Sequence, residues 1–176
     1  MSKPPVQLVK LGLKSYMPTW KLQQDLVKKV KSSQNVNYLV LVEHKPVYTT
    51  GIRSSGYSNE EEERLKKLGA DFVRSNRGGL ITFHGPGQLV AYPILNLKHF
   101  VQSDVSGKRL KLLGMKWYIN TLEQVVIQTL KKNFDIEAFR SPDTGIIYLI
   151  FDYERRSNSG LWSYRIVSNR PISYYS

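Results

Sequence analysis

Cysteine is missing from all 176 residues. Without a thiol there is no disulfide framework, no thiolate metal site and no cysteine nucleophile on this chain. Histidine is scarce: the three present, His44, His84 and His99, have no close spacing along the chain, so they carry no metal-ligand signature. Long apolar runs are missing too. No stretch approaches the roughly 18 to 20 consecutive apolar residues of a membrane-spanning helix, so a soluble chain is expected. Neither Gly-x-Ser-x-Gly, a P-loop nor GxGxxG occurs, which leaves no nucleophile elbow and no nucleotide fingerprint. Acids are few, 14 against 26 lysines and arginines, for a net charge of +12. Such an excess points to acidic partners. The lysines are dispersed and no basic-aromatic module stands out, so nucleic acid is the less favoured of these.

What is present suits one α+β domain, with 41% hydrophobic residues to supply a core. Val6 to Leu11 reads as a strand beginning so early that little room remains for a cleavable leader. Thr19 to Ser32 reads as a helix on the spacing of Leu22, Leu26 and Val30. Tyr38 to Glu43 is a candidate buried strand, followed by a loop holding His44, Tyr48 and Thr49. Ser58 and Glu61 form a capping box for a short helix that Gly69 ends, and Glu60 to Glu63 sit where the helix dipole favours acids. Phe72 to Arg74, Leu80 to His84 and Leu89 to Ile94 read as strands of an antiparallel or mixed sheet. Met115, Ile119, Leu122, Val126 and Leu130 keep helical spacing from Met115 to Lys132, a helix expected to pack on the core. Ile136 to Phe139 and the run IIYLIF from Ile146 are further strand candidates, whereas Ser157 to Gly160 and the final PISYYS lack periodicity.

Most of the functional signal lies from Arg77 to Pro93, RGGLITFHGPGQLVAYP. Gly78, Gly79, Gly85 and Gly87 punctuate two strand-like runs and read as the rim of a small-molecule pocket. His84, at a strand end before Gly85, would in isolation be a histidine bonded to a loop carbonyl. Arg77 beside two glycines could present a guanidinium and backbone amides to an anionic or carbonyl oxygen, or simply end a hairpin. Tyr92 and Pro93 read as core and strand-end positions.

The pattern R-G-G-x-x-T-F-H-G-x-G-Q-x-x-x-Y-P, filled by Arg77 through Pro93, resembles the signature of the lipoyl(octanoyl) transferases. Glu43, His44, Pro46, Val47, Tyr48, Thr49 and Gly51 resemble the same family's E-H-x-P-V-Y-T-x-G segment, and Ser141 to Gly145 (SPDTG) resembles the run leading into its catalytic half. Three ordered matches make chance a poor explanation. The resemblance implies the α+β fold, with a mixed sheet, of lipoate and biotin ligases. It also implies movement of an octanoyl group from acyl carrier protein to a lysine of lipoyl domains, among them the glycine-cleavage H protein, with no cofactor or metal. Mitochondrial placement in a eukaryote follows from the same likeness. The substrate segment it implies is Arg77, Gly78, Gly79, Leu80, Ile81, Thr82, Phe83 and His84.

The family's nucleophile is a cysteine aided by a lysine just beyond the SPDTG match, and neither is found here. After Gly145 the chain also changes character: residues 1 to 145 hold sixteen lysines and six arginines, whereas residues 146 to 176 hold four arginines, five tyrosines and no lysine. Residues 146 to 176 are therefore expected to be an unrelated tail, the product of an alternative exon or a retained intron, following an octanoyltransferase-like part at 1 to 145. No catalytic residue is assigned. Two other readings stay open: a module that holds acyl chains or carrier protein without transferring them, and a basic domain associated with nucleic acid.

Overall fold

The structure is a computed structural model. It describes residues 4–33, 35–51, 56–78, 80–99, 101–103, 109–112, 114–141, 145–150 and 165–168. The chain divides into two compact units, Met1–Leu110 and Lys111–Ser176. Gly79, the centre of the SPDTG run and most of the residues after Ile150 lie outside the described residues.

The first unit opens with a βαβ arrangement. Strand β1 (Val6–Lys14) and strand β2 (Asn37–His44) are parallel, joined through helix α1 (Tyr16–Ser33). Pro18 is tolerated there because it falls in the first helical turn, where an N–H has no intrahelical acceptor to lose. Leu26 and Val30 of α1 are buried against Tyr38, Val40 and Ile94. The spacing predicted from the sequence thus names the face that packs. Strand β6 (Leu89–Ile94) pairs antiparallel with β2 on its other side. Being central and covered, β2 carries the near-continuous apolar run YLVLV rather than strict alternation.

A second three-stranded sheet corrects one expectation. The segment after His44, read as a loop, is a two-residue turn followed by strand β3 (Val47–Thr50). β3 lies between strand β4 (Asp71–Arg74), parallel to it, and strand β5 (Thr82–His84), antiparallel. Helix α2 (Asn59–Lys66) makes the crossover from β3 to β4, with Ser58 accepting a hydrogen bond from the Glu61 N–H at 3.3 Å. Gly69 follows it at φ +84°. Strand β7 (Val101–Ser103) pairs with strand β8 (Arg109–Leu112). The mixed character is as expected, but the strands are divided among several small sheets.

In the second unit, helix α3 (Met115–Phe134) ends on Asp135, whose left-handed conformation lets its N–H reach the carbonyls of Leu130 and Lys131. Strands β9 (Ala138–Arg140), β10 (Ile146–Ile150) and β11 (Arg165–Ser168) form an antiparallel sheet with β10 in the centre. The β-prone run after Gly145 thus does enter a sheet. The apolar stripe of α3 is less covered than expected within this unit: Met115 and Val126 are exposed, and the buried side chain is Glu123. Its carboxylate accepts the Gly145 N–H at 2.7 Å and lies 3.5 Å from Arg140 Nε.

Candidate functional site

Register fixes which residues of the glycine-rich segment meet. In the β3–β5 pair Val47 lies opposite His84, Tyr48 opposite Phe83 and Thr49 opposite Thr82. Side chains alternate along a strand, so Thr82 and His84 share a face with the fully buried Val47 and Thr49. Phe83 stands on the other face, its ring 5.0 Å from that of Tyr48, and stays 44% exposed. Within the predicted substrate segment, Thr82 and His84 therefore face away from Phe83.

Arg77 is turned inward. Its guanidinium donates from Nε and Nη2 to Thr49 Oγ1 at 3.2 and 2.9 Å, and from Nη2 also to the carbonyls of Thr49 and Leu80, the latter at 2.8 Å. Nη1 donates to the Gly78 carbonyl at 2.9 Å. A planar fork of donors suits this work, since one rigid group can tie three stretches of backbone. Burial pulls the guanidinium below its ordinary pKa, opposed by the nearby hydroxyls of Tyr16, Tyr92 and Tyr57. Arg77 thus holds the loop shut onto β3 more than it offers a free cation. Leu80 is largely exposed, and the Ile81 N–H donates to Tyr57 Oη at 3.2 Å.

Two of the three histidines, distant in sequence, come together. The rings of His44 and His84 lie 5.6 Å apart, with Tyr16 at 5.3 Å and Tyr92 at 6.0 Å from the fully buried His44. His44 Nδ1 faces the Lys14 carbonyl at 3.2 Å, and a carbonyl only accepts, so Nδ1 carries the proton. Nε2 then accepts from the Tyr92 hydroxyl at 2.9 Å. Burial above all raises the Tyr92 pKa to about 12, which keeps that hydroxyl a donor. Tyr92 is therefore part of the polar site, not merely a core position, and Tyr16 joins it without any sequence signal. Only its place at the start of α1, with its ring against that of His44, reveals Tyr16.

The turn after β5 completes the arrangement. Gly87, at φ +84°, occupies a conformation that a side chain would strain, and its N–H donates to Glu43 Oε2 at 2.9 Å. At Gly85 a Cβ would come within 2.9 Å of the Phe83 ring, which would have to turn aside to admit it. Gln88 follows and reaches back to His84, its Oε1 lying 2.6 Å from Nδ1.

Both histidines have lowered pKa values. For His44 burial is the main cause, opposed by the Lys14 carbonyl; for His84 burial again leads, opposed by Gln88 and helped by the Arg77 charge. Since the unfolded chain binds their protons first, the stability these neutral rings contribute is present above about pH 6.5 and is lost as pH falls toward the folded values. The urea midpoint is expected to drop from pH 8 to pH 5.5, with a slope of up to about 1.4 kcal/mol per pH unit for each histidine. Equal midpoints at the two pH values would contradict rings held neutral in the folded chain.

Solved structures place this fold in a class. The crystal structure of P. falciparum LipL1 in complex with lipoate matches with TM-score 0.56 at 16% identity, covering 81% of this chain and 40% of that one. A T. acidophilum protein with bound lipoic acid matches with TM-score 0.53 at 15% identity, over 81% and 61%. The fold is that of lipoate ligase catalytic domains. The model of the lipoyl protein ligase A/B catalytic domain matches residues 15–155, and the chain belongs to that family. Among its relatives, a Danio rerio protein named octanoyl-(acyl-carrier-protein):protein N-octanoyltransferase, mitochondrial, is 50% identical over 148 residues, which are 83% of this chain and 61% of the relative. A Xenopus tropicalis protein of the same name is 41% identical over 83% and 58%. A Rubrobacter xylanophilus octanoyltransferase is 42% identical over 74% and 54%. The chain thus spans a little over half the length of these curated relatives. Among the described residues no helix is long and apolar enough to cross a membrane.

Proposed function

We propose that this chain forms the acyl-binding part of an octanoyltransferase, acting on octanoyl-acyl carrier protein and on lipoyl domains such as the glycine-cleavage H protein, in mitochondria. The observation that carries the reading is the convergence of Thr49, Arg77, Thr82 and His84 with His44, Tyr16 and Tyr92 around one face of β3 and β5. Two of the three ordered sequence matches supply nearly all of these residues. Buried polar groups with fixed hydrogen bonds, set beside apolar strands, suit a site that orients one carbonyl at the mouth of an apolar slot. Arg77 to His84 is the substrate segment in this reading, with Thr82 and His84 facing the acyl group and Arg77 holding the wall. No thiol is available for a thioester within these 176 residues, so the chain itself binds without transferring.

A photoreactive octanoyl analogue is expected to crosslink within Arg77 to His84 and to be displaced by octanoyl derivatives. Labelling spread evenly over the surface would defeat the assignment. The net charge of +12 serves the acidic partners in the same reading. Binding to acyl carrier protein should weaken steeply between 0.1 and 1 M salt, as the screening length falls from about 10 to about 3 Å. Salt-insensitive binding would indicate an apolar interface instead.

A further inference from the structure

The hydrogen-bonded chain through His44 and Tyr92 ends on a group left unmatched. The inward stripe of α1 runs Tyr16, Thr19, Gln23, Leu26 and Val30 at helical spacing, and all of these but Gln23 are almost wholly buried. Leu26 and Val30 meet apolar neighbours, whereas the amide of Gln23 faces the hydroxyl of Tyr92. Gln23 Nε2 is shut off from solvent, and no acceptor among the described residues bonds it. A buried amide N–H without a partner lowers stability, so its retention calls for a reason.

The order of protons along the chain supplies one. With His44 neutral, Gln23 points an N–H at Tyr92 Oη, the Tyr92 proton goes to His44 Nε2 at 2.9 Å, and Nδ1–H donates to the Lys14 carbonyl at 3.2 Å. When the ring takes a second proton, both of its nitrogens are donors. Lys14 still accepts from Nδ1, but Nε2–H now needs a lone pair of Tyr92 Oη, and the Tyr92 proton needs another acceptor. The groups facing His44 are Tyr16 of α1, His84 of β5 and Tyr92 of β6, with the Arg77 guanidinium acting on both tyrosines, and none of them is an anion. Glu43, the neighbour of His44 on β2, belongs to the other face of that strand and holds the Gly87 N–H. Gln23 can meet the need, because half a turn about its last bond puts an acceptor where the donor was.

We infer that Gln23 is an amide switch for the His44–Tyr92 pair: its N–H faces Tyr92 while His44 is neutral, and its carbonyl oxygen accepts the Tyr92 proton when His44 is charged, so that the hydrogen bonds from Gln23 to His44 reverse together. The added proton comes from solvent and no other bond changes. The neutral state leaves one donor unmatched; the charged state leaves none. The reversal also alters what the site presents, from a neutral ring to a cation beside His84. That consequence, which rests on the acyl-binding reading, favours a carboxylate over an uncharged amide as pH falls.

Long-range proton–nitrogen NMR of the full chain labelled with nitrogen-15 histidine reads the titration of His44 without any activity. Gln23→Leu should lower the His44 midpoint by about one pH unit or more, because the charged state then leaves the Tyr92 proton without a partner. A permanent acceptor in Gln23→Glu should raise it by about as much. Tyr92→Phe cuts the link, so adding Gln23→Leu to it should move the midpoint no further. Should Gln23→Leu fail to fold, Gln23→Glu decides. A midpoint unmoved or raised in Gln23→Leu, unmoved in Gln23→Glu, or lowered as much by Gln23→Leu when Tyr92→Phe is already present overturns the switch. Octanoate and N-butyloctanamide, titrated at about pH 8 and about pH 5.5, test the consequence for the site: preference for octanoate should grow severalfold at the lower pH in the natural chain and less in Gln23→Leu. A preference that ignores pH overturns the change of charge at the ligand. No binding of either compound overturns the acyl-site reading alone, since the midpoints judge the switch by themselves.

Discussion

Incubated with octanoyl-acyl carrier protein, the 176-residue chain is expected to keep its unmodified mass and to leave a lipoyl domain unoctanoylated above background. The chemistry is one of nucleophiles. Acyl transfer through an enzyme-bound intermediate needs a group that is anionic, or readily made so, near neutral pH; a thiolate meets that requirement and the chain has no cysteine. The hydroxyls at hand do not replace it. Tyr92 is held protonated with a pKa near 12 and donates to His44, and Ser75 donates to the Thr50 carbonyl at 2.7 Å. A chimera of residues 1 to 145 with a family-type segment bearing the cysteine and lysine should gain both the adduct and the transfer. If the natural chain transfers octanoate at an ordinary enzyme rate, His84 is the first group to examine for a covalent acyl intermediate.

How far the sequence could be read depended on whether each interaction was local. β6 is legible to the residue and β2 and α2 nearly so, because apolar runs, capping side chains and terminal glycines act within a few positions of one another. β3 is not. Its partners, β4 and β5, lie more than twenty residues downstream, and a four-residue strand beginning after a proline has no periodicity of its own to display. The site shows the same division. Motif spacing singled out Arg77, Thr82 and His84, but only the strand register separates Phe83 from its neighbours onto the opposite face. The burial of His44 was hidden because its desolvation is offset by Lys14 and Tyr92, one thirty residues before it and the other forty-eight after. Tyr16 had no signal at all, being the first residue of a helix read as starting at Thr19. The α3 stripe was recognised as helical, yet periodicity cannot say how much of a face is covered, and Glu123 proved to be its buried member.

Removing the Arg77 side chain should produce the largest loss of stability in the first unit outside its apolar core. Alanine there would cancel the bonds to Thr49 Oγ1 and to the carbonyls of Thr49, Gly78 and Leu80, all made by a charged donor. Thr49 is fully buried, so its hydroxyl would be left with the Thr82 carbonyl at 3.5 Å as its remaining contact and no water to replace the fork. Hydrogen bonds to charged groups are worth roughly 1.5 to 3 kcal/mol each, and bonds from one guanidinium do not add, so a loss of about 3 kcal/mol is expected from urea unfolding of Arg77→Ala. Arg77→Lys should recover less than half of it. An ammonium can serve one or two of these acceptors but cannot span from β3 to the Leu80 carbonyl as a planar group does. Octanoyl crosslinking should fall in both variants, and at a denaturant-free concentration where Arg77→Lys is still folded it should fall because the segment from Gly78 to Ile81 is no longer drawn onto β3. Equal stability of Arg77→Ala and the natural chain would mean that the loop is held by β5 pairing alone, and full recovery by lysine would mean that charge, not the fork, is what the position requires.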